Sequence, residues 1–115
     1  MRLLVCGSRE YENWTRIDFE LSNLLRKPTV IIHGAAPGVD TLAGIWARRN
    51  NILEEVYPAD WETYGKAAGP IRNKKMLDEG KPDVVMGFLS KDSKGTKNMI
   101  EQAKKAGVPC IIHDI

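Results

Sequence analysis

The feature that most constrains the fold is the alternation of short, continuous apolar runs with segments whose apolar residues recur at helical spacing. The apolar runs occupy residues 2–6, 29–33, 52–57, 83–88 and 108–113. A strand buried on both faces of a parallel sheet requires such a run, and intervening helices supply the crossover connections. The pattern therefore predicts an α/β protein with about five parallel strands and helices on both faces of the sheet.

Four helices are predicted between these strands. The first is marked by apolar residues at helical spacing, namely Trp14, Ile17, Leu21, Leu24 and Leu25. Asn13 is a favourable N-cap for it, and Pro28 prevents its continuation. The other three are centred on residues 39–47, on a segment beginning near Pro70 and ending at Gly80, and on residues 99–106 before Gly107.

Nearly all strand–helix–strand units have right-handed crossovers, and this restricts the order of elements to a doubly wound, Rossmann-like sheet. We expect the strand order 3-2-1-4-5 within a single domain that spans residues 1–115. Ligands of such sheets bind at the carboxyl ends of the strands, at the point where the order reverses. The loops after strands one, two and four are therefore the predicted location of a site.

Composition excludes several classes of protein. No apolar stretch approaches the roughly 20 residues that cross a bilayer, and the apolar run at the N-terminus is too short for a signal peptide. Cys6 and Cys110 have no partner at a metal-binding spacing, which predicts reduced thiols, no metal and a cytoplasmic location. We also expect no cofactor. The formal net charge of +2 is too small to indicate a nucleic-acid-binding protein by itself.

Two loops carry residues suited to phosphate. Gly7, Ser8 and Arg9 follow the first strand and can form either a plain turn or a group of phosphate donors. The second strand is followed by the segment HGAAPGVD at residues 33–40, in which Gly34, Ala35 and Gly38 lead into a helix. Free backbone N–H groups at a helix N-terminus favour an anion, so we predict phosphate binding there.

Two polar residues of the second loop each allow two interpretations. Asp40 is either the N-cap of the second helix or a group that recognises a ribose or a base. His33 either polarises a ligand or caps the end of the sheet, and we favour the second interpretation. Further along, Trp61 and Tyr64 either stack on a base or simply anchor a loop.

Two further helix starts are candidate anion sites. If Pro70 is the first helical residue, Arg72 lies in the first turn, where the dipole disfavours a cation by up to about 1 kcal/mol. A bound anion would remove that conflict, and Asn73 would lie beside it. After the fourth strand, Gly95 and Thr96 again offer donors at a helix start, unless Thr96 serves only as the N-cap.

Together these motifs resemble the SLOG superfamily, which includes DNA-processing protein A and the lonely-guy phosphoribohydrolases. The chain resembles in particular the small YspA-like branch, also called YAcAr, and the resemblance extends over nearly the whole chain. The segment 7–9 matches the first-strand motif, the segment 34–40 resembles G-x-A-x-G-[IV]-D, and the segment 70–73 resembles P-x-R-N. The resemblance implies a nucleotide-binding, Rossmann-like domain, and relatives that form dimers imply a homo-oligomer.

The resemblance to the phosphoribohydrolases also implies catalytic candidates. Lys94-Gly95-Thr96 is similar to the end of their PGGxGTxxE motif, and Arg72 with Met76 is similar to RKxxM. In this chain Met99 occupies the position of the glutamate that helps to cleave an N-glycosidic bond. If the chain were such a hydrolase, Arg72 would act with a substitute carboxylate. The candidate carboxylates are Asp40, Asp60 and Glu101.

Three functions follow as hypotheses. The first is binding of a nucleotide-like phosphate ligand without turnover, in which case Met99→Glu is the substitution expected to introduce some hydrolysis. The second is hydrolysis of nucleoside 5′-monophosphates. The third is binding of single-stranded nucleic acid, with Trp61 or Tyr64 stacking on bases. Its basic crevice would be formed by Arg9, Arg72, Lys74, Lys75, Lys94 and Lys97.

Overall fold

The structure is a computed structural model that describes all 115 residues. Five parallel strands form one sheet in the order β3-β2-β1-β4-β5. The strands are β1 (Arg2–Gly7), β2 (Val30–His33), β3 (Leu53–Val56), β4 (Val84–Leu89) and β5 (Cys110–Asp114). The predicted fold class and strand order are confirmed.

Helices cover both faces of this sheet. They are α1 (Trp14–Ser22), α2 (Val39–Arg49), the one-turn helix α3 (Trp61–Tyr64), α4 (Ala68–Gly80) and α5 (Lys94–Lys105). A short 3₁₀ turn at Gly65–Ala67 joins α3 to α4. None of these helices has the length and apolar character that a membrane span requires.

Alternate residues of the central strands face two separate cores. Leu3 and Val5 of β1 belong to a core that also contains Val39 and Trp46 of α2, together with side chains from α1. Leu4 of β1 faces the opposite core, which α4 and α5 complete. This alternation follows from the period of two along a strand, and it explains why the central strands are continuously apolar.

Several predicted helix boundaries were wrong. Helix α1 ends at Ser22, because the backbone N–H and the side-chain amide of Asn23 both donate to the Phe19 carbonyl oxygen and close the helix. Leu25 therefore lies outside α1 and is fully exposed. Helix α4 begins two residues before Pro70, and α5 begins at Lys94. Helix α3 has too short an apolar pattern to be predicted.

Candidate functional site

A polar cavity of about 910 Å³ lies at the carboxyl edge of the sheet. Its walls come from the end of β1 and the loop that follows it, from the loop between β4 and α5, and from the first two turns of α4 and α5. Because β1 and β4 are neighbours in the sheet, this main cavity occupies the point where the strand order reverses. This cavity lies at the location predicted from the sequence.

The main cavity brings together most of the candidate ligand-binding residues. Those that line it are Gly7, Ser8, Arg9, Asp40, Arg72, Asn73, Gly95 and Thr96. Gly34 and Ala35 line instead an adjoining side pocket of about 230 Å³, and Gly38 lines neither space. The main cavity and the side pocket share Arg9, Ala36, Trp61 and Arg72 as common walls.

The backbone N–H groups after β2 do not point into the main cavity as free donors. Those of Gly34 and Ala36 donate to Asp40 Oδ2, over 3.0 and 3.3 Å, and that of Ala35 donates to His33 Nδ1 over 3.0 Å. The prediction that Gly34 and Ala35 hold phosphate through free N–H groups is therefore wrong for this conformation. Sequence reasoning missed this because it could not show that the loop folds back on its own side chains.

Asp40 braces this loop and does not serve as the N-cap of α2. Gly38 is the N-cap residue, and Asp40 is the second residue of the helix. Its side chain is buried, and burial raises the pKa of the carboxyl group, although the two backbone donors and the nearby His33 and Arg72 oppose that effect. Both backbone bonds reach Oδ2, so Oδ1 has no donor within the protein.

Gly38 lies beneath the loop that follows β1. It has φ 77°, which favours glycine, and a Cβ atom there would lie 2.6 Å from the carbonyl carbon of Arg9. The next N–H group, that of Val39, donates to the Ser8 carbonyl oxygen over 3.1 Å. Gly38 therefore permits the close approach of Ser8 and Arg9 and lines neither the main cavity nor the side pocket.

Arg72 is held with one nitrogen free. Its Nε donates to Asn73 Oδ1 over 3.0 Å and its Nη1 donates to the Gly34 carbonyl oxygen over 2.6 Å, whereas Nη2 has no acceptor within the protein. Burial lowers the pKa of this guanidinium and the charge of Arg9 adds to that effect, while Asp40 opposes it. A guanidinium remains charged in proteins, so the main cavity contains a fixed cation with a free donor.

Arg72 lies in the second turn of α4, as its fifth residue, and not in the first turn as predicted. The expected conflict with the positive end of the helix is therefore weaker than the sequence indicated, because the dipole effect is confined to the first turn. Arg9 and Arg72 instead line the same cavity, and the charge of Arg9 contributes to the lowered pKa of the Arg72 guanidinium.

Asn73 connects the two helices that border the main cavity. Its Nδ2 donates to the Gly95 carbonyl oxygen and to Asn98 Oδ1, each over 3.1 Å, and its Oδ1 accepts the bond from Arg72. The side chain is buried, and its donors and acceptor are occupied by protein groups. Asn73 therefore positions Arg72 and the start of α5, which differs from the direct ligand contact predicted for it.

The start of α5 presents free backbone donors to the main cavity. The N–H groups of Gly95 and Thr96 have no acceptor within the protein, because the helix begins at Lys94. The N-cap residue is Ser93, not Thr96, and its hydroxyl lies 2.6 Å from Ser90 Oγ and makes no capping bond. The interpretation of Thr96 as an N-cap is therefore wrong, and the donors predicted from the sequence are present.

Positive charge predominates around the main cavity. Five cationic side chains line it, belonging to Arg9, Lys66, Arg72, Lys91 and Lys94, against three carboxylates. Sequence reasoning missed Lys66 because it lies in the unpredicted segment between α3 and α4. It also missed Lys91, although the loop after β4 had been identified as part of the site. An anionic ligand fits this distribution.

Three of the lysines expected in a basic crevice lie elsewhere. Lys74, Lys75 and Lys97 line neither the main cavity nor the side pocket. Lys74 forms an ion pair of 2.6 Å with Asp78, and Lys97 donates to the Lys91 carbonyl oxygen over 3.1 Å. The prediction of one basic crevice formed by all six residues is therefore wrong, because only three of them line the main cavity.

His33 has the structural role that the sequence favoured. Its Nδ1 accepts the Ala35 N–H, so the other ring nitrogen carries the proton that lies between it and Glu54 Oε2, at 2.5 Å. The imidazole is buried at the end of β2 and lines neither cavity. His33 therefore fixes the loop after β2 through its bond to Ala35.

The candidate catalytic carboxylates are separated by the fold. Glu101 is exposed on α5 and lines neither cavity, so its candidacy is wrong. Asp60 accepts the Thr63 N–H as the N-cap of α3 and also lies outside both. Among the three, Asp40 alone lines the main cavity.

Met99 does not occupy an open catalytic position. Its side chain is completely buried in the core formed by β1, β2, β4, α4 and α5. The expectation that Met99→Glu would introduce hydrolysis is therefore wrong, because the new carboxylate would lie in this core and not in the main cavity.

Comparison with known proteins gives three findings. A family model described as the YspA, cpYpsA-related SLOG family matches residues 1–64. The Gene 61 protein of Mycobacterium phage D29 is 39% identical over 118 residues, which cover 96% of this chain and 94% of that protein. The X-ray structure of DNA processing protein A from Streptococcus pneumoniae superimposes with a TM-score of 0.77 at 20% identity over 96% of this chain. The chain spans 49% of that structure, and this likeness concerns the fold.

Proposed function

Because this chain belongs to the YspA, cpYpsA-related SLOG family, we propose that it binds a nucleotide or a nucleotide-derived phosphate ligand in the main cavity. The proposal depends most on one observation. The free Nη2 of Arg72 and the free N–H groups of Gly95 and Thr96 belong to residues that line the same space. A fixed guanidinium and a helix N-terminus are each suited to a phosphate group.

The surroundings support an anion in the same place. Arg9 and Arg72 line the same cavity and carry like charges, which a phosphate bound there would offset. Lys66, Lys91 and Lys94 reach the same space from three different segments. The volume of about 910 Å³ lies at the upper end of the usual range for small-molecule sites, which leaves room for more than a phosphate ion.

Arg72→Ala is expected to weaken the binding of a nucleotide by about 1.5 to 3 kcal/mol, the range for a hydrogen bond to a charged group. Calorimetry with nucleoside mono-, di- and triphosphates measures this change. Lys74→Ala is the matched control, because it removes a cation two residues further along α4 that lines neither cavity. Equal affinities of native protein and Arg72→Ala would contradict the proposed site.

We expect the native protein to bind nucleoside 5′-monophosphates without releasing free base. Cleavage of the glycosidic bond needs a positioned carboxylate, and two of the three candidates lie outside the main cavity. Chromatography of an incubated mixture measures the free base. Asp40→Asn is the informative variant, since Asp40 lines the main cavity and its Oδ1 has no donor within the protein. Release by the native protein would contradict binding without turnover, and its loss in Asp40→Asn with nucleotide affinity retained would indicate that Asp40 supplies the carboxylate.

A single-stranded oligonucleotide is a useful member of the same binding panel. The main cavity retains cations for a nucleic-acid backbone, but three of the six predicted crevice residues lie outside it. We expect mononucleotides to bind at least as tightly as the oligonucleotide. A clear preference for the oligonucleotide, reduced by added salt, would favour a nucleic-acid partner instead.

A further inference from the structure

We propose that the side pocket is a stacking subsite for the planar heteroaromatic ring of the ligand, with Trp61 as the residue that holds the ring. This inference rests on the proposed function, because the phosphate of the same ligand is placed in the main cavity. The side pocket opens beside the main cavity, and the two share the walls formed by Arg9, Trp61 and Arg72. A ligand with its phosphate near Arg72 can therefore extend into the side pocket.

Most of the lining of the side pocket is apolar, which suits a flat ring. Six of its nine residues have no polar side-chain atom, namely Gly34, Ala35, Ala36, Pro37, Pro58 and Ala59. The N–H groups of the first three of these are occupied by Asp40 and His33, and a proline has no N–H group. The walls therefore offer apolar contact with few backbone donors.

The remaining three side chains are planar groups that stack on aromatic rings. Trp61 is the single aromatic residue that lines either the side pocket or the main cavity, and 47% of its surface is exposed. The Arg9 guanidinium carbon lies 5.2 Å from the centroid of the Trp61 ring, and Arg72 completes the wall. Indole and guanidinium groups both stack on bases, and such contacts tolerate different bases because every base has a π-face.

Tyr64 provides a comparison within the same short helix, because it is exposed to a similar extent but lines neither cavity. The two aromatic residues of α3 therefore differ in access to the ligand. Substitution of each one separates stacking from any general effect on α3.

The test compares adenosine 5′-monophosphate with ribose 5-phosphate, which has the same phosphate and sugar but no ring. We expect native protein to bind the nucleotide more tightly. Trp61→Ala should reduce nucleotide affinity about 5- to 150-fold, the effect of losing one stacked base, and should leave ribose 5-phosphate affinity unchanged. Trp61→Phe should retain most of the nucleotide affinity, and Tyr64→Ala should alter neither affinity.

The outcomes distinguish this inference from the proposed function. Equal affinities of native protein for the two ligands, or a loss in Trp61→Ala that affects both equally, would overturn the stacking subsite and leave phosphate binding in place. Failure of the native protein to bind either compound or any nucleoside mono-, di- or triphosphate would refute the proposed function and the subsite together. Circular dichroism of Trp61→Ala and Trp61→Phe verifies that both variants are folded.

Discussion

Gly38→Val is expected to lower the free energy of unfolding by about 3 kcal/mol or more, because two separate costs add at this position. Gly38 has φ 77°, a region that β-branched residues rarely adopt. A Cβ atom there would also approach the Arg9 carbonyl carbon to 2.6 Å, and the neighbouring Ser8 carbonyl oxygen would be closer still. Both obstacles are backbone atoms, which cannot move aside as a flexible side chain can.

The same substitution should also weaken ligand binding, since relief of the clash displaces Ser8 and Arg9 from the main cavity. Urea unfolding measures the loss of stability, and calorimetry with a nucleotide measures the loss of binding.

Gly107→Val is the matched control for stability, because Gly107 has φ 75° but no atom within 4 Å of a Cβ. The control should lose about 1 to 2 kcal/mol from strain alone. A loss in Gly38→Val no larger than this would show that contact between the two loops contributes nothing.

Met99→Glu is expected to destabilise the protein by about 3 to 5 kcal/mol at pH 7 and to create no hydrolysis. Met99 is completely buried among apolar side chains that include Leu4, Ile32 and Val85. A carboxylate there would lose its hydration without gaining a partner. The side chain would either ionise at the cost of that lost hydration or remain protonated at a pH above its usual pKa. The third possibility is that the core opens to admit water.

The pH dependence gives the sign of this effect. A glutamate in the unfolded chain has a pKa of about 4.3, and burial raises the pKa in the folded state. The loss in free energy of unfolding of Met99→Glu relative to native protein should therefore be smallest below about pH 4 and should grow as the pH rises toward neutrality. Met99→Gln is the matched control, because it buries a polar group of the same shape but should show no such growth. A Met99→Glu variant as stable as native protein at pH 7 would mean that residue 99 faces water.

Much of the fold was predictable because its determinants are local. The apolar runs that became β1, β2 and β4 are continuous, since both faces of each strand are buried. Right-handed crossovers then left few strand orders, and the predicted order is the one observed. Helix ends were less predictable, because Asn23 ends α1 through two bonds to Phe19 that the apolar spacing does not reveal.

The candidate site was predictable in location but only partly in residue roles. The loops after β1 and β4 meet at the switch point, so Arg9, Gly95 and Thr96 were placed in one cavity by topology alone. Motif spacing could not show that the Gly34 N–H donates to Asp40, because that hydrogen bond depends on how the loop after β2 folds back toward α2. Nor could it show that Met99 points into the core.

The sequence by itself determined the fold class, the strand order and the edge of the sheet where a ligand can enter, because apolar periodicity and chain chirality act along the chain. Only the tertiary structure decided which groups remain free at that edge. Arg72 keeps Nη2 available because its other nitrogens are bound by Asn73 and Gly34, which lies 38 residues away. Hydrogen bonds between distant segments determine which donors are already bonded within the protein and which are available to a ligand. Residue spacing alone does not reveal these bonds.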